Sequence, residues 1–229
     1  MIKHHPSESA LRSFVEGALP STKAILISAH CDMCPTCLSK TRSFTESIAV
    51  DMFPDLRQNP TILREYISMF ESITNDSTLL NPSYSQTLDT RITLDGREFV
   101  LPATLARFAD RIGEWSHLAG KLWHASVNIG GGSLAQFIYM DRGASVPEHT
   151  HKGNELTLVI NGKFTDGGKC YESGDFIELN QQHTHMPTAE NYEGCLVVTM
   201  LDMPLHFTSG WAMLINPLSQ LYFKVNTNN

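Results

Sequence analysis

Residues near the amino end have the types and spacing of a metal site: His30, Cys34 and Cys37 in the pattern His-x3-Cys-x2-Cys, with His4 and His5 upstream. Structural zinc takes four nitrogen or sulfur ligands in a tetrahedron. Three come from this pattern, and the fourth falls to His4 or His5. Cys31 lies between them and fits no ligand spacing with the rest. A second set lies in the other half, in the run Gly143-x5-His149-x-His151-x3-Glu155-x6-Gly162. In a strand, residues i and i+2 point to one face. His149 and His151 therefore face the same way, and Glu155 returns to that face after Lys152-Gly153. A later histidine, His183 or His185, is available as a fourth ligand. Imidazole and carboxylate together suit Zn, Fe, Mn or Ni. Other uses of the cysteines are an iron–sulfur cluster, a redox pair in Cys34-Pro-Thr-Cys37, or plain burial. The first lacks a fourth cysteine at suitable spacing, and the second lacks a preceding strand.

These side chains need scaffolding of two kinds. Ser7 is a cap for a helix with Leu11, Phe14, Val15, Ala18 and Leu19 on one face, closed by Pro20. Ser21 caps a second helix that reaches His30. A turn then covers Cys31–Cys34, and Pro35 opens a third helix running to about Met52. A fourth runs from about Thr61 to Ile73, with Tyr66, Ile67 and Phe70 on one side. The first two helices run antiparallel, which returns the amino end to His30. Cys37 in the first turn of its helix is expected to have a lowered thiol pKa. The polar stretch 76–90 reads as a linker. Beyond it, short apolar segments alternate with turns: Leu134–Met140, Glu155–Ile160, Asp175–Leu179 and Leu196–Leu201, with Asn161-Gly162 as a hairpin turn. The expected organisation is α + β in two domains: a helical metal-binding domain over 1–75, the linker, and an all-β barrel over 91–229.

The 229 residues carry a net charge of −7, with Lys and Arg scattered along the chain. Direct nucleic-acid binding, which relies on grouped cations against phosphate, is not expected. No apolar run approaches the roughly 20 residues of a membrane span. The start Met-Ile-Lys-His-His-Pro-Ser-Glu lacks the form of a signal peptide, so a cytoplasmic location is expected.

The His-x3-Cys-x2-Cys pattern with a histidine upstream and four short helices resembles the zinc-binding anti-sigma domain. The run from Gly143 to Gly162 matches the first cupin motif at each position. The second motif is looser: Ser173 stands where proline is usual, and the gap to the histidine is longer. The run His185-Met-Pro-Thr-Ala-Glu190 resembles that segment in the cupin half of ChrR-type anti-sigma factors. Both motifs in this order resemble the ChrR family over nearly the whole chain, least in residues 53–100. The resemblance implies metal ligands His5, His30, Cys34 and Cys37 for zinc, and His149, His151, Glu155 and His185 for zinc or another divalent metal. It implies no enzyme but an anti-sigma factor. Such a protein inhibits an extracytoplasmic-function sigma factor and releases it under singlet oxygen or related oxidative stress sensed by the cupin domain. Cys170 and Cys195 could contribute to sensing; core burial is the simpler role for both. The competing expectation is a metal-dependent cupin enzyme, a dioxygenase or isomerase, with a zinc-bound helical appendage.

Overall fold

The computed structural model describes residues 1–52, 60–75, 91–118, 120–130, 134–190, 193–216 and 223. The linker expected at 76–90 lies outside these residues. Helix α1 (Glu8–Val15) is capped by Ser7, whose Oγ accepts from the Ala10 amide at 3.2 Å. Helix α2 (Ser21–Met33) starts one residue earlier than its sequence suggests, because Pro20 rather than Ser21 is the cap residue. Proline has no amide hydrogen to leave unsatisfied and its φ suits a helix start. The same helix continues past His30, so Cys31 is helical and the expected turn contracts to Cys34 alone. Pro35 then opens α3 (Pro35–Met52). Helix α4 (Pro60–Thr74) follows.

The second half begins with a hairpin, β1 (Arg91–Leu94) and β2 (Arg97–Val100), and a short helix α5 (Ala103–Ala106). The strands after it are β3 (Ser116–His117), β4 (Leu122–Val127), β5 (Leu134–Met140), β6 (His149–His151), β7 (Glu155–Asp166) and β8 (Lys169–Glu172). They continue as β9 (Phe176–Leu179), β10 (Thr184–His185), β11 (Thr188–Ala189), β12 (Cys195–Leu201) and β13 (Leu205–Phe207). All pair antiparallel. The main sheet runs β11-β7-β12-β5-β4-β3, with β8 and β9 also on β7. A second sheet runs β10-β6-β13. The curled pair of sheets is a cupin-type barrel.

The hairpin expected at Asn161-Gly162 does not form. Strand β7 passes straight through these residues, and its pairing with β12 shifts register there as a bulge. Gly162 has φ +83°, and a Cβ on it would lie 2.0 Å from the Gly194 carbonyl oxygen. The bulge re-aims the strand, and the turn comes at Gly167-Gly168 instead.

Strand β12 is buried at every residue, on both faces. Cys195 and Val197 point into the barrel with Val159, Phe164, Tyr171 and Ile177. Leu196, Val198 and Met200 point the other way, where Leu158 and Phe137 join Leu11, Leu26 and Ile27 in one buried cluster. Helices α2 and α5 thus cover the outer face of the sheet, which explains its continuous apolar runs. Polar contacts seal the seam. The Thr104 amide donates to Asp32 at 2.7 Å, and Lys23 meets Glu178 at 2.6 Å.

Candidate metal centres

The end of α2, the start of α3 and the residues ahead of α1 converge on one point. His30 is fully buried, Cys34 and Cys37 are 2% exposed, and His5 closes the outer side. His5 Nδ1 lies 3.5 Å from Cys34 Sγ and 3.4 Å from Cys37 Sγ. The ligand atoms of all four residues lie within 4.8 Å of one another. His4 points elsewhere: its Nδ1 is 3.3 Å from Asp175 Oδ2. Cys31 is buried within α2 and outside the cluster.

The donor set fits a soft divalent metal. His30 Nδ1 donates to the Gly174 carbonyl at 2.8 Å, which fixes the tautomer and leaves Nε2 as a lone pair facing the thiols. That Nε2 is buried without a hydrogen-bond partner among the described residues. Burial holds the His30 pKa down, to about 4, so the ring is in its ligating, uncharged form at neutral pH. The Cys37 thiol differs from the sequence expectation. Burial, then the neighbouring Cys34, pushes it up to about 12. A bound cation reverses that balance by favouring the thiolate.

The second cluster lines the barrel. His149 and His151, on β6, are buried, as is Glu155 at the start of β7; His185 comes from β10, paired beside them. His185 Nε2 lies 2.9 Å from His149 Nε2 and 3.1 Å from His151 Nε2. His149 Nδ1 donates to the Pro147 carbonyl and His185 Nδ1 to Asp166 Oδ2, each at 2.8 Å. With both rings uncharged, as metal ligands must be, both Nε2 atoms are acceptors. Two acceptors at 2.9 Å repel unless a cation sits against them, so the chemistry of the set fits a metal with a carboxylate–histidine support. Glu155 Oε2 is 3.3 Å from His151 Nδ1, while its Oε1 accepts from Thr157 at 2.7 Å. Desolvation depresses His149 and His151 to about 4. The four ligand atoms again lie within 4.8 Å. His183 is exposed and bonded to Asn180. Behind the cluster is an apolar-lined cavity of ≈ 40 Å³ reaching Ile138, Phe164 and Val197.

Sequence reasoning did not find three supporting groups: Asp166, the Pro147 carbonyl and the Gly174 carbonyl. The path of β7 and the pairing of β10 with β6 bring Asp166 to His185, the packing of α2 on the sheet brings the Gly174 carbonyl to His30, and the Pro147 carbonyl reaches His149 from two residues away. Cys195 is fully buried in the barrel core, and burial raises its pKa strongly; Cys170 is half-buried on β8.

Residues 110–203 match the family model described as the ChrR cupin-like domain. The anti-sigma-E factor ChrR of Cereibacter sphaeroides is 26% identical over 223 residues, covering 96% of this chain and 99% of that protein. The crystal structure of Rhodobacter sphaeroides SigE in complex with the anti-sigma ChrR matches with a TM-score of 0.63 at 24% identity. The match covers 88% of this chain and all of the matched one. The chain has the fold of ChrR, carries its cupin-like domain, and along nearly its whole length resembles the ChrR-type anti-sigma factors.

Proposed function

We propose that this protein is an anti-sigma factor. Its helical half, residues 1–75, holds an extracytoplasmic-function sigma factor inactive, and its barrel, residues 91–229, releases that factor in response to singlet oxygen or a related oxidant. The observation that carries the reading is the pairing of a His/His/Cys/Cys cluster at the junction of three helical segments with a His/His/Glu/His cluster in a cupin barrel. The ChrR likeness over nearly the full chain supports the same assignment. In this reading His5, His30, Cys34 and Cys37 hold zinc, which fixes the angle between α2 and α3. His149, His151, Glu155 and His185 hold zinc or another divalent metal, whose ligands are the oxidant-sensitive part.

A regulator is favoured over a cupin enzyme by the barrel interior. A cavity of ≈ 40 Å³ admits a few atoms, far below the roughly 300 Å³ at which small-molecule sites begin. Helix α4 supports a protein partner: Tyr66, Ile67, Phe70 and Ile73 are each about half exposed or more. The net charge of −7 suits a protein surface better than nucleic acid. Among the described residues no helix is long and apolar enough to cross a membrane, which accords with action in the cytoplasm.

Co-expression with extracytoplasmic-function sigma factors of the same genome, followed by gel filtration, tests the assignment. A stable one-to-one complex is expected. A metal-loaded protein that elutes alone at micromolar concentration would rule it out.

A further inference from the structure

One hairpin touches both clusters. Strand β7 ends at Asp166, the chain turns through Gly167-Gly168, and β8 leads to Ser173-Gly174-Asp175. At the first end, Asp166 accepts from His185 Nδ1 at 2.8 Å and from the Met186 amide at 3.3 Å. At the other end, the Gly174 carbonyl accepts from His30 Nδ1 at 2.8 Å. The Asp175 carboxylate, wholly buried, accepts from the Lys3 amide at 2.7 Å and the His4 amide at 3.0 Å. The Phe176 amide donates to the His4 carbonyl at 3.0 Å. These bonds fix the backbone immediately ahead of His5. Between the ends, Tyr171 packs on Phe164 inside the barrel, with ring centroids 5.0 Å apart. It also meets the His4 ring at 4.6 Å. Gly174 is required where it stands. Its φ of +93° is one that L side chains rarely adopt, and a Cβ there would meet Ile2 Cδ1 at 2.4 Å, so a larger residue strains the turn and displaces the Ile2 side chain.

We infer that the Asp166–Asp175 hairpin is a shared outer support of both metal centres, so that the state of the barrel centre sets how firmly the amino-terminal centre keeps its metal. The inference rests on the reading that both clusters hold metal. It adds that the barrel supplies positioning groups to the helical site, with Gly174 orienting His30 and Asp175 anchoring the segment that carries His5. Groups that orient metal ligands typically change metal affinity about ten- to hundredfold when removed. Coupling between the sites is reciprocal, since each stabilises one arrangement of the same hairpin.

The full chain loaded with Co(II) gives a readout specific to one centre. Only the amino-terminal cluster offers thiolates, so the sulfur-to-cobalt charge-transfer band reports that site alone. The rate at which the band disappears under a fixed excess of chelator is measured for the unaltered chain and three variants. Asp175→Asn is expected to accelerate the loss about tenfold or more. Asp166→Asn, at the barrel end and without a direct bond to the helical half among the described residues, is expected to accelerate it at least about threefold. Lys23→Met cuts a different contact across the seam and is expected to leave the rate unchanged. An unchanged rate in Asp166→Asn despite loss of barrel metal, or equal acceleration in Lys23→Met, would overturn the inference. If Asp175→Asn does not fold, Asp166→Asn decides alone. Absence of the charge-transfer band in the unaltered chain would instead defeat the underlying metal assignment, and so separates the two failures.

Discussion

His30, His149 and His151 are buried rings whose bonds to carbonyl or carboxylate groups do not compensate for lost water. Desolvation depresses all three from an ordinary value near 6.5 to about 4. In metal-free protein the folded state keeps them uncharged between those values, while the unfolded chain protonates them. The unfolded state then binds more protons, so stability falls as pH falls. Full stability is expected above about pH 6.5, with progressive loss down to about pH 4. Urea midpoints of chelator-treated protein measured across that window check this; a midpoint independent of pH would contradict it. The choice of His5 over His4 belongs to this scale too. Spacing left both open. The structure separates them because Asp175 engages the His4 ring and amide, which turns the next side chain toward Cys34 and Cys37.

At the scale of elements, the order of helices was readable, although α1 stops at Val15 instead of running on through Leu19 to Pro20. Ser7, Pro20 and Pro35 act through local backbone chemistry that needs no knowledge of the rest of the chain. The Asn161-Gly162 turn was misread for the opposite reason. The pair favours a hairpin locally, but β7 is paired with β12 up to Gly162 and with β8 beyond it, and the long ladder overrides the local preference. Asp166 as a support for His185 was invisible, because the two are 19 positions apart and in different sheets. Gly162→Ala is expected to destabilise the protein by about 1–3 kcal/mol or more, through positive φ and collision with the Gly194 carbonyl. Chemical denaturation measures this. Equal stability would mean that the bulge relaxes at no cost.

At the scale of the molecule, helices and barrel share one buried cluster, from Leu11 and Leu26 through Phe137 and Leu158 to Val198. The change from helical to strand patterning was legible, but the common core was not, because apolar periodicity marks a buried face without naming what covers it. Helix α4 contrasts with this: every described residue from Arg64 to Thr74 is exposed. Tyr66→Glu with Phe70→Glu is therefore expected to shift folding stability by no more than about 0.5 kcal/mol per site. It should weaken sigma-factor binding tenfold or more, as loss of aromatic anchors does. Calorimetric titration beside a thermal melt checks both halves. Unaltered affinity would move the binding face elsewhere.

The most direct test is transcription in a purified system containing core polymerase, the sigma factor that the protein binds and a promoter read by that sigma factor. The metal-loaded protein is expected to suppress transcription at near-equimolar amounts, and Cys34→Ser with Cys37→Ser to lose that suppression. Transcription that proceeds undiminished with the unaltered protein, or is suppressed equally by the serine variant, would contradict the account.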